Sequence, residues 1–79
     1  MDISAAVQTI KKELESTFGA TMSINILAIS RSKAKAPLIG MTKDDYLRLV
    51  TAIVTDKKVE QMLGASGAKE KQRKWSAMV

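Results

Sequence analysis

A chain of 79 residues is long enough for one domain and too short for two. With 46% hydrophobic and 27% charged residues it lies well inside the folding range. A domain of this size buries only roughly 60% of its unfolded-chain surface, and small domains often gain stability by dimerising. Cys and His are both absent, which excludes disulfides, thiolate or imidazole metal sites, and any Cys or His nucleophile or base. The formal charge of +5 is unevenly placed. Arg31, Lys33 and Lys35 form one acid-free cluster, and the C-terminal segment from Lys57 onward carries six bases against Glu60 and Glu70. Clustered cations are an electrostatic footprint for polyanions, and equally a solvated face that keeps a small protein dispersed.

Along the chain, Ile3, Val7, Ile10, Leu14 and Phe18 recur at spacings of four, three, four and four. That is one apolar stripe of a helix, with Lys11, Lys12, Glu13 and Glu15 on the other faces. Asp2 or Ser4 can cap its start, and Gly19 follows its last apolar residue as a C-terminal glycine does. The stretch 21–36 is harder. Met22, Ile26 and Ile29 fit one helical face, while Met22, Ile24, Ile26 and Ala28 alternate like a strand. A lone strand has no ladder partner in this chain, so a helix is expected, apolar on more than one side and therefore central. Pro37 would end it.

A loop over 38–42 leads to the strongest start signal. Thr42 with Asp45 three residues on is close to a capping box, and Met41 and Tyr46 occupy the two positions of a hydrophobic staple. The helix runs through Leu47, Leu49, Val50, Ile53 and Val54. The apolar rhythm slips after Val54, where Asp56 can cap a short helix holding Val59, Met62 and Leu63, ended by Gly64. Ser66 can cap a last helix from Ala68 to about Val79, with Ala68, Trp75 and Val79 on its stripe. The expected fold is all-α: a single domain over 1–79, a compact array of four to five short helices.

Catalysis finds little support. Asp44 and Asp45 read most simply as first-turn acids that favour a helix N-terminus. The serines lack a histidine, and Gly64 and Gly67 near Lys69 lack the spacing and strand of a phosphate-binding loop. The expectation is a protein that is not an enzyme, with no cofactor, no metal and no small-molecule substrate evident.

The segment Val59 to Ser66, followed by a basic helix, resembles a helix-turn-helix over roughly Asp56 to Trp75. Leu63, Gly64 and Ser66 suit the short helix, tight turn and capped second helix. Glu60 and Glu70 depart from the pattern, standing where a small residue and a buried aliphatic are usual. The resemblance implies DNA contacts from Lys69, Lys71, Gln72, Arg73 and Lys74, with Lys toward phosphates, Arg73 toward a guanine edge and Gln72 toward an adenine. Arg31, Lys33 and Lys35 form the second candidate nucleic-acid surface. Trp75 is expected to pack as a core or dimer anchor, with nucleobase stacking as the alternative. The leading expectation is thus a nucleic-acid-binding module. The alternative is a protein-interaction or oligomerisation module, with a protein partner or homodimer. A membrane partner ranks last, because the longest apolar run is too short to span a bilayer and the apolar face of the last helix is narrow. No signal peptide is visible, and cytoplasmic residence is the default.

Overall fold

The computed structural model describes residues 1–37 and 39–79 and forms, among them, four α-helices and no strand. α1 spans Ile3–Phe18, α2 Ala20–Ala34, α3 Lys43–Val54 and α4 Lys57–Ser76. The stretch 21–30, which read as either helix or strand, is helical. Of the expected loop over 38–42, residue 38 lies outside the described residues.

Asp2 caps α1, its carboxylate accepting from the Ala5 N–H at 2.8 Å. Ala6, Ile10 and Leu14 form the buried face, and Ile3, Val7 and Phe18 pack half-buried against the same core. Gly19 then does two jobs with one residue. Its N–H closes α1 on the Glu15 carbonyl, and its own carbonyl accepts the Ser23 N–H that opens α2. Its backbone, at φ 85° and ψ 165°, lies where essentially only glycine goes. Gly64 repeats the device at φ 74° and ψ 169°, breaking α4 into 57–63 and 65–76. The local sequences match, Phe18-Gly19-Ala20-Thr21 and Leu63-Gly64-Ala65-Ser66, an apolar residue, glycine, alanine and a hydroxyl residue in each case.

This break accounts for two differences from expectation. The first segment ends at Gly64 as expected, but the chain re-enters helix at Ala65 rather than near Ala68, and the two segments form one broken helix, α4, among four. Ser66 consequently sits inside α4 and is not a cap.

α3 carries the broadest buried face: Tyr46, Leu49, Val50, Ile53 and Val54. The Thr42–Asp45 capping box forms in full, the Thr42 hydroxyl accepting from Asp45 N–H at 3.1 Å and the Asp45 carboxylate from Thr42 N–H at 3.0 Å. Asp56 caps α4 through the N–H groups of Lys58 and Val59.

α2 packs against both α1 and α3 but is not buried all round. It turns small residues inward, burying Ser23, Ile26, Ser30 and Ala34, and leaves Ile24 55% and Ile29 46% exposed, with Met22 also outward. A helix apolar on several faces usually signals burial all round. Here Ile26 and three small side chains face inward while Met22, Ile24 and Ile29 stay outside. α2 ends at Lys35 in the left-handed region (φ 53°), with Lys35 and Ala36 N–H groups returning to the Ser32 and Arg31 carbonyls, a Schellman-type turn. The helices pack in chain order, α1 on α2, α2 on α3 and α3 on α4. The radius of gyration is 11.3 Å, close to the value of about 11.6 Å for a compact chain of this length. Among the described residues no helix is long and apolar enough to cross a membrane.

Gly19→Ala and Gly64→Ala are each expected to lower unfolding free energy by about 1–3 kcal/mol, because alanine is forced into a glycine-only backbone region. Ser66→Ala should stay within about 0.5 kcal/mol, as an exposed mid-helix substitution does. Denaturant midpoints of the three variants check both; a loss near 1 kcal/mol at Ser66 would restore its capping role.

Candidate functional site

The C-terminal helix is organised around Trp75, whose indole is only 1% exposed. Its Nε1–H donates to Oε2 of Glu13 at 2.9 Å, and its carbonyl accepts from the Tyr46 hydroxyl at 2.8 Å. The other Glu13 oxygen accepts from Lys71 Nζ at 2.7 Å and Lys74 Nζ at 3.0 Å. Lys71 also lies 6.0 Å from the indole centroid, at the outer reach of a cation–π contact. One carboxylate on α1 thereby ties down two ammonium groups and an indole near the end of α4. Burial works to raise the Glu13 pKa, but the hydrogen bonds from Lys71, Trp75 and Lys74 outweigh it and bring it from 4.5 down to about 2. Burial, aided by the nearby Glu13 charge, pushes the Tyr46 hydroxyl up to about 12.

This geometry redistributes the sequence-predicted binding residues. Lys71 and Lys74 are paired with Glu13. Gln72 donates to the Thr51 hydroxyl on α3 at 3.3 Å. Trp75 packs inside this chain and presents no indole face to the surface. Lys69 and Arg73 are exposed and enter no ion pair among the described residues. The same holds for Lys33 and Lys35 (both exposed) and for half-buried Arg31, all at the C-terminal end of α2. Glu60 and Glu70, the two departures from the helix-turn-helix pattern, are both exposed.

Glu13 is the residue that sequence reasoning misplaced, putting it on the solvated side of α1. Its spacing carried a signal: it follows Ala6 by seven and Ile10 by three, which sets it on the rim of the buried stripe.

The second feature is a groove of about 620 Å³ between α1, α2 and the chain at Ile39–Met41. Ile3, Val7, Ile24, Leu27, Ile39 and Met41 supply apolar walls. Ser4 and Gln8 add neutral polar groups, Lys11 and Arg31 put one cation on each helix wall, and no carboxylate lines it. Ile39 is 87% exposed. On the far flank of α2 from this groove lie Met22, Asn25 and Ile29, related by spacings of three and four, with Ala28 and Ser32 beside them. From Ser16 to Ser30 the chain carries no charge. A shallower depression beside Lys33 and Arg48 is lined by Leu47, Thr51, Ala52 and Thr55, again without an acid. Arg48 is anchored there by donating Nε–H to the Ala34 carbonyl at 3.1 Å and pairing with Asp45. Among the described residues no three acidic side chains gather as a metal site would require.

A carboxylate whose pKa is lowered by folding stabilises the fold above its unfolded value and loses that contribution as pH falls through the folded one. The Glu13 contribution should therefore be whole above about pH 4.5 and drain away toward pH 2. Glu13→Gln is expected to lower stability at neutral pH by about 1–3 kcal/mol, short of the loss for a fully buried pair. It should also flatten the acid limb relative to the parent chain, read as thermal midpoint against pH. Equal acid limbs would dissociate Glu13 from the clasp. Lys71→Glu would set a second carboxylate against Glu13, so it reports on folding before it reports on binding.

Comparison of the chain with protein-family models, with curated proteins and with solved structures gives no match.

Proposed function

We propose that this domain is a non-enzymatic protein-interaction module that works through the outer face of α2, with a second copy of the chain as the partner. The observation that carries the reading is the orientation of α2. Its buried positions hold Ile26 and three small residues, Ser23, Ser30 and Ala34, while Met22 and Ile29 stand outside, beside Asn25, Ala28 and Ser32. Small residues on a helix face allow a second helix to come close, and flanking aliphatics then gain contact area. Electrostatics favours the same face. A body with net charge +5 repels its copy, and the uncharged run from Ser16 to Ser30 lets two copies meet without opposing cations. An isologous contact about a two-fold axis is the simplest closed arrangement. α2 is about 22 Å long at about 1.5 Å per residue, so the contact is small and the association weak, with Kd on the order of 0.1 mM, or about −5.5 kcal/mol.

A second reading, nucleic-acid binding, is supported by a separate observation. Arg31, Lys33 and Lys35 cluster at the end of α2 and enter no ion pair among the described residues. Lys69 and Arg73 offer further cations on the segment that resembles a helix-turn-helix. The engagement of Lys71, Gln72 and Lys74 within the chain reduces what that segment has to offer a polyanion.

Sedimentation equilibrium tests the first reading: the parent chain should self-associate near the stated concentration, and Ile29→Asp should be a monomer. A parent chain that stays monomeric up to about 1 mM, tenfold above the expected Kd, removes it. Duplex DNA titrated at two salt concentrations tests the second. Three phosphate contacts give a slope near −2.7 in log K against log salt, a loss of roughly 40-fold between about 50 and 200 mM. Salt-insensitive binding, or none, removes that reading.

A further inference from the structure

We propose that the α1–α2 groove is a binding site for an anionic amphiphile, a single acyl chain ending in a carboxylate or phosphate. Three observations converge on that chemistry. The walls are aliphatic and include two isoleucines left largely in water, Ile39 at 87% and Ile24 at 55% exposed. An occupant with an apolar surface would take both out of water. The volume of about 620 Å³ lies within the range of about 300–1,000 Å³ typical of small-molecule sites. The only charges in the lining are cationic, Lys11 and Arg31, and neither enters an ion pair among the described residues. Glu15, one turn along α1 from Lys11, does not pair with it.

The polar content of the lining decides between an acyl chain and an extended peptide. Among the described residues Ser4 and Gln8 are its only neutral polar side chains, too few to satisfy the N–H and C=O groups that an extended peptide would bring. A hydrocarbon tail makes no such demand. Arg31 is the better head-group ligand, because its planar fork holds a carboxylate or phosphate through two parallel bonds, and Lys11 adds charge from the opposite wall. This site lies on the flank of α2 opposite the proposed self-association face and stands or falls separately from it.

The test is a titration of the full chain with sodium dodecanoate below its micellar concentration, followed by amide chemical shifts. Saturable changes confined to residues 3–11, 24–31 and 39–41 are expected. Decanoate should bind roughly tenfold more weakly, from the apolar contribution of two methylenes. Arg31→Gln should weaken dodecanoate roughly tenfold through loss of a charge-assisted pair, and dodecanol should bind the parent chain more weakly than dodecanoate. Ile24→Ser, at an exposed position that the fold does not need, should weaken both carboxylates alike. Ile29→Asp should leave binding unchanged, which separates failure of this proposal from failure of self-association. Dodecyl phosphate binding like dodecanoate supports the shared head-group chemistry. The proposal is overturned by absence of saturation up to about 1 mM, a limit near −4 kcal/mol, by shifts spread over the whole molecule, or by an unchanged affinity in Arg31→Gln. Binding to phosphatidylglycerol vesicles without binding to monomeric dodecanoate also overturns it, in favour of adsorption to a lipid surface.

Discussion

A single carboxylate, Glu13, joins the first helix of this protein to the last. Neighbouring helices meet through side-chain packing in chain order, and the buried faces of α1 and α4 contribute to one core. Glu13 bridges 58 to 62 residues of sequence by giving one oxygen to the Trp75 indole and the other to Lys71 and Lys74. Each partner meets a different need. The indole N–H, buried with its ring, would otherwise lack an acceptor. The ammonium groups compensate the carboxylate for the solvent it loses, so the charged form is favoured despite partial burial. Tyr46 completes the arrangement from α3 by donating to the Trp75 carbonyl. Three helices therefore converge on one residue near the chain's end.

That convergence changes what the charge distribution means. Read as a list of cations, the C-terminal helix is the most basic part of the chain. In the folded protein two of its lysines are balanced internally and its glutamine is committed to Thr51. The outward-facing cations that enter no ion pair on that helix are Lys57, Lys58, Lys69 and Arg73. The other concentration of positive charge lies at the end of α2, where Arg31, Lys33 and Lys35 have no carboxylate partner. Charge that works on the fold is withdrawn from any external partner, and α4 illustrates how far this can go.

α2 presents the complementary case, in which apolar surface is withheld from the core. Its inward serines and alanine permit close packing, and Ser30 is buried with no hydrogen-bond partner for its hydroxyl among the described residues. Apart from buried Ile26, its large apolar side chains divide between two flanks, one forming a wall of the groove and one facing away. Both surfaces proposed to bind partners thus arise from one sequence property, a helix lacking the charge periodicity that would assign it a wet side and a dry side.

Local chemistry made much of the fold legible in the sequence. The α1 stripe, the capping box at Thr42 and Asp45, the cap at Asp56 and the breaks at Gly19 and Gly64 each depend on residues within about one helical turn, so short-range spacing suffices to find them. The helical state of 21–30 also followed, from the lack of any strand partner. Tertiary structure alone decided which face of α2 is buried and that Lys71, Lys74 and Trp75 close on Glu13. Those outcomes depend on groups brought together across some sixty residues. A linear pattern records which side chains carry charge or apolar surface, and only the folded chain determines which of them satisfy one another.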